Sequence, residues 1–133
     1  MVLATVNKFR QLLSLTYIGD ITLKELQGAK GEVESLLGEL SPGFQLLADF
    51  SRLDSMDLDC AEEIGRVMEV MDRRGVSLLV RVIPDPSKDI GMNILTRLHY
   101  RNHPKVVACQ NLAEAALVLG ISSEAKGRDP VQS

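Results

Sequence analysis

Three short stretches hold the side chains of this chain that could do chemistry. In the first, Asp49-Phe50-Ser51-Arg52-Leu53-Asp54-Ser55-Met56-Asp57-Leu58-Asp59, carboxylates gather ahead of Cys60, Glu62 and Glu63. A thiol near a helix start can be a reactive thiolate, but neighbours such as Asp57, Asp59, Glu62 and Glu63 push its pKa up, which speaks against Cys60 as a nucleophile. The same carboxylates suit the start of a helix. Asp57 fits an N-cap worth about 1 kcal/mol, and Asp59 in the first turn adds less. The second stretch is Ile83-Pro84-Asp85-Pro86-Ser87-Lys88-Asp89. Its prolines shape a rigid surface, and the helix start that follows could hold an anion with help from Lys88. The blander reading is a turn in which Ser87 or Asp89 caps a helix. The third stretch, His99-Tyr100-Arg101-Asn102-His103-Pro104-Lys105 with Arg97, is a basic patch. Two histidines at i,i+4 could share a metal on one helix, but Pro104 disfavours helical geometry at His103. No metal and no cofactor is expected.

These stretches need elements to position them. Leu13, Leu15 and Tyr17 alternate with Ser14 and Thr16, which predicts a strand over Arg10–Ile18 closed by Gly19-Asp20. Val2–Val6 could pair beside it. Thr22 with Glu25 three residues on is a capping box, and Leu23, Leu26, Ala29, Val33, Leu36, Leu37 and Leu40 keep one helical face until Ser41-Pro42-Gly43. Phe44–Phe50 reads as a buried strand, followed by a polar turn. A helix from about Asp57 to Arg74 turns Ala61, Ile64, Met68 and Met71 inward, with Glu62–Arg66 and Glu69–Arg73 paired outside. Val76–Ile83 has the near-continuous apolar pattern of a strand buried on both faces. A short helix to Leu98, a strand at Lys105–Cys109 and a helix begun by Asn111 and Glu114 complete the series. Strand–helix alternation implies a mostly parallel, helix-covered sheet. The expected organisation is one domain over residues 1–120 and a flexible tail over residues 121–133.

Composition narrows the function classes. A net charge of −3 argues against a phosphate-backbone binder, so nucleic acid is not an expected partner. No apolar stretch approaches the roughly 20 residues that span a bilayer, and the first residues lack a secretory pattern. Two cysteines without metal-like spacing suit a reducing compartment, so the expected location is the cytoplasm. No nucleophile elbow, Walker loop or dinucleotide fingerprint is present, which argues against an enzyme.

The strand–loop–helix around Asp49–Cys60 resembles the STAS domain, the fold of bacterial anti-sigma-factor antagonists. In that family the strand ends in Asp-x-Ser and the helix opens with Asp-Ser-Ser/Thr-Gly, whose second hydroxyl residue is phosphorylated. Asp49-Phe50-Ser51 matches the first motif, and the eight-residue spacing from Asp49 to Asp57 matches the family's two aspartates. Leu58 and Asp59 then stand at the hydroxyl positions and Cys60 at the glycine. The resemblance covers about Arg10 to Leu119 and implies an α/β, STAS-like, mostly parallel sheet of 4–5 strands with about four helices. It further implies a non-enzymatic regulatory or scaffolding domain acting through a protein partner, an anti-sigma-factor-like ATPase or another STAS-type partner, or as a homodimer. The implied contact surface is Asp57, Leu58, Asp59, Glu62, Glu63 and Arg66, with Asp59 as a permanent, weaker stand-in for the phosphate. The alternative is a sensor or carrier holding an anion or an apolar metabolite at a rim of Pro84, Asp85, Ser87, Lys88 and Asp89. Both loops leave carboxyl ends of strands and should open on one rim of the sheet.

Overall fold

Strand β1 (Val2–Asn7) runs antiparallel to β2 (Leu12–Ile21), and every later strand joins the sheet in parallel and in sequence order: β3 (Gln45–Met56), β4 (Leu78–Val82) and β5 (Lys105–Cys109). The connections from β2 onward are helical: α1 (Leu23–Leu37), α2 (Cys60–Arg73) and α3 (Ile90–His99), the last preceded by a 3-10 turn at Pro86–Asp89; α4 (Leu112–Leu119) closes the series. The computed structural model describes residues 1–121, without the side chains of Pro86 and Lys88, so the expected tail lies almost wholly outside the described residues.

Alternation along the strands sorts two cores. Leu13, Leu15, Tyr17, Leu46, Phe50 and Leu79 face α1 and α2 and pack on Leu26, Val33, Ile64, Met68 and Met71. Tyr17 stacks on Phe50 with ring centroids 4.7 Å apart. On the opposite face Leu12, Val80, Val82 and Cys109 meet Ala115 and Leu119 of α4. Each fully buried aliphatic chain contributes about 1.5–3 kcal/mol, so the inward stripe of α2 is the main hydrophobic anchor of its helix.

The expected helix starts at Thr22 and Asn111 form as read: Thr22 Oγ1 accepts from the Glu25 N–H at 3.2 Å, and Asn111 Oδ1 from that of Glu114 at 2.9 Å. The strand ends do not. β2 continues through Gly19, whose φ of +76° accommodates a bulge, to Ile21. β3 does not turn at Ser51 but pairs onward with β2, as Arg52 with Ile18, Leu53 with Gly19 and Met56 with Ile21. β4, by contrast, ends opposite Asp49. Beyond that point β2 and β3 therefore form a two-stranded ribbon projecting past the sheet. α2 begins at Cys60, too late for Asp57 to cap it. Asp59 holds the N-cap place but makes no side-chain cap bond.

Candidate functional site

The ribbon and the next strand diverge, and that divergence creates a groove. Its walls are Phe50, Leu53 and Met56 from β3, Leu58 and Ala61 at the start of α2, Ile83 and Pro84 after β4, and Met92, Ile94 and Leu95 from α3; it encloses about 790 Å³. Asp54, Asp57 and Asp85 also line it, and no basic side chain does so among the described residues. A mostly apolar cleft of this volume is within the range that holds an organic ligand or an anchoring side chain. Asp57 and Leu58 thus share one rim with Pro84 and Asp85. Leu58 is 95% exposed at its lip, and Ile90, Ile94 and Leu98 recur at i, i+4 and i+8 along α3, each more than half exposed. Exposed aliphatic side chains at this spacing form a continuous stripe, an arrangement typical of contact surfaces.

α3 has no fully buried residue: Met92 and Leu95 pack partly buried on the core, and polar contacts add to that hold. Arg81, on β4, is 4% exposed. Its Nε donates to Asp89 Oδ1 at 3.0 Å, Nη1 to Thr96 Oγ1 at 3.0 Å and Nη2 to Asn93 Oδ1 at 2.6 Å. One buried guanidinium thereby fixes the 3-10 turn and α3 to the sheet. Asp89 serves this buried pair and is not available at the rim. Asp85 accepts from the Ser87 N–H at 3.1 Å and hydroxyl at 2.8 Å, so the loop's own carboxylate occupies donors an anion would need. The Lys88 side chain lies outside the described residues.

At the far end of α3, His99 Nδ1 lies 2.6 Å from Glu69 Oε2. A Cβ at Gly65 would fall 2.5 Å from His99 Nε2, so glycine there lets α2 and α3 approach. Glu69 thus pairs across helices and not with Arg73 as its spacing predicts. His103 lies beyond the helix at φ +49°, off the face that carries His99. The segment after His99 is docked as well: buried Asp72 accepts the N–H groups of Arg101 at 3.2 Å and Asn102 at 3.1 Å. The His99 hydrogen bond, helped by the charges of His99, Arg101 and Arg73, holds the Glu69 carboxyl below its ordinary value. A carboxyl lowered on folding stabilises the fold above the ordinary carboxylate range, and that stabilisation is lost as pH falls through its folded value. The melting temperature of the wild type should exceed that of Glu69→Gln at neutral pH, with the gap closing in acid. A gap unchanged down to about pH 3 would mean that the carboxylate charge is not what joins the helices.

Of the sequence-derived surface residues, Asp57, Leu58, Asp59, Glu62 and Arg66 are exposed. Glu63 is not: it is 4% exposed, one oxygen meets Arg66 Nη1 at 3.2 Å, and the other has no hydrogen-bond partner. It stands three residues after buried Cys60 and beside Ile64, inside the buried stripe of α2, a position the helical spacing already indicates. Cys60 is fully buried with Sγ 3.8 Å from the Ile21 carbonyl. Burial first, then the Asp59 and Asp57 charges, push its thiol up; burial does the same at Cys109. Neither cysteine should react with a thiol reagent until the protein unfolds, and rapid labelling of the native protein at Cys60 would contradict this packing.

The arrangement has counterparts among solved structures. An uncharacterised protein of the DUF3478 family from Shewanella loihica, described as having a SpoIIAA-like fold, superposes with a TM-score of 0.67 at 14% identity, over 90% of this chain and 92% of its own. The fold is SpoIIAA-like. The anti-sigma factor antagonist SpoIIAA in its unphosphorylated form gives 0.55 at 15% identity, covering 96% of this chain and 99% of that one. The phosphorylated form of the Bacillus cell fate determinant SpoIIAA gives 0.55 at 11%, covering 89% and 99%. No protein-family model matches the sequence, and no curated protein does. Among the described residues no helix is long and apolar enough to cross a membrane.

Proposed function

We propose that this SpoIIAA-like chain is a non-enzymatic, cytoplasmic regulatory domain that binds a protein partner across the groove between α2 and α3. The supporting observation is the exposed aliphatic stripe of Ile90, Ile94 and Leu98, which with Leu58 flanks a cleft bordered by Asp54, Asp57 and Asp85. Such a surface fits an apolar segment flanked by basic residues: the aliphatic groups supply affinity and the carboxylates orient the approach. An anti-sigma-factor-like ATPase or a second SpoIIAA-like chain is the kind of partner this reading favours. Leu58, Asp59 and Cys60 leave no hydroxyl where the antagonist family is phosphorylated, so the domain works without serine switching there, Asp59 supplying a fixed negative charge.

The cleft volume favours one second reading, a sensor or carrier for a small apolar molecule. Its carboxylate border, with Asp85 satisfying the Ser87 donors, weighs against an anion. Capture from a native extract, compared between wild type and a Leu58→Glu/Ile94→Glu variant, separates the readings. A stoichiometric protein lost with the variant supports the partner reading; a co-purifying metabolite and no such protein supports the carrier. Proteins retained equally by both would remove the groove from the account.

A further inference from the structure

A second cleft, of about 360 Å³, lies between α1 and α2 and shares only Ile64 with the groove. Leu26, Ala29 and Val33 form one wall and Ile64, Val67 and Val70 the other, with Glu63 also lining it. Glu63 is 95% buried at its side chain, and its Oε2 has no hydrogen-bond partner, the only such buried side-chain oxygen or nitrogen among the described residues. Folded chains seldom leave a buried acceptor unmatched, because it has given up its water and gained nothing. Arg66 reaches only the other oxygen.

The geometry points to a binding site here for a small apolar molecule that ends in an N–H donor, an amine above all, with its hydrocarbon body between α1 and α2 and its head on Glu63 Oε2. The cleft volume falls within the range of small-ligand sites. Lys30, Glu34, Arg66, Glu69 and Arg73 also line it, but none of these is buried, and among the described residues Glu63 is the one buried carboxyl in its apolar walls. Entry requires the helices to part slightly, since Oε2 is closed to solvent. α1 is suited to that movement: Gly28 and Gly31 lie in its interior, residues that weaken a helix, and neither packs against a neighbour. Apart from Ile64 the site uses none of the residues of the partner groove, and it stands or falls separately from it.

The test is an amide-resolved NMR titration of the full chain with cyclohexylmethylamine, and with cyclohexanecarboxylate as the head-group control. Saturable shifts at Ala29, Val33, Ile64 and Val67 are expected with the amine, with binding at least about tenfold weaker for the carboxylate and for the Glu63→Gln variant. Glu63→Met should abolish amine binding while raising the melting temperature, since it removes the unmatched acceptor. Equal affinity for both head groups, undiminished binding by Glu63→Gln, or no saturable shift at these amides up to about 10 mM would overturn the assignment.

Discussion

Replacing Arg81 with methionine should destabilise the fold by about 3–5 kcal/mol, as removal of one member of a buried ion pair generally does. Methionine fills much of the same volume, so the loss reflects charge and not a cavity. Among the described residues Asp89 would keep only a long contact to Asn93 Nδ2 at 3.4 Å, while Thr96 and Asn93 would lose the donor that ties α3 to β4. α3 has no fully buried residue, so beyond the partly buried Met92 and Leu95 on the core, little apolar contact remains to hold it once that tie is gone. Pairing Arg81→Met with Asp89→Leu should recover most of the loss, since the orphaned carboxylate is then gone too. Denaturant unfolding of the two singles and the double measures this. A cost below about 1 kcal/mol for Arg81→Met, or a double as costly as the summed singles, would show that the network is not what fixes the helix.

The second large effect concerns binding. Leu58→Glu and Ile94→Glu should each weaken the partner by roughly 30-fold, the consequence of removing about 2 kcal/mol of hot-spot contact. Both side chains are already in water, 95% and 54% exposed, so neither change should lower the melting temperature by more than a surface substitution does. Phe9, at 90% exposure in the turn between β1 and β2, is the matched control: Phe9→Glu removes as prominent an aliphatic or aromatic surface at a different place and should leave binding unchanged. Equal losses from Phe9→Glu would mean that general surface apolarity, and not the groove, governs association.

The order of the elements was legible because their start signals are local. Thr22 with Glu25, Asn111 with Glu114 and the apolar run before Ile83 each carry their own physics and need no distant partner. The ends of β2 and β3 were not legible. Ser51-Arg52-Leu53-Asp54-Ser55-Met56 has the composition of a turn, and only the bulge at Gly19 on another strand gives its backbone donors and acceptors a partner. The groove depends on that extension, so its existence was hidden although the residues on its rim were not. Arg81 shows a signal passed over: a guanidinium within Leu79-Val80-Arg81-Val82-Ile83, a run patterned for burial, requires a buried acid, and Asp89 is the acid on the connecting loop. Glu63 shows another, since its position three residues after Cys60 places it on the buried side of α2. Capping fits the chemistry of Asp57, with Asp59 as a first-turn charge, but α2 starts at Cys60, which moves Asp59 to the N-cap place, where it makes no side-chain cap bond. At Asp59 the side chain is exposed and free of a capping role, as a contact residue would be.

Hydrogen exchange of the chain, free and saturated with the protein it captures, tests the central claim most directly, because it reads every backbone amide without altering a residue. The account predicts slowed exchange over residues 53–61 and 83–98, the two walls of the groove, with α4 and β1 unchanged. Protection confined to Leu112–Leu119 or to Val2–Asn7, with the groove exchanging as in the free protein, would contradict it.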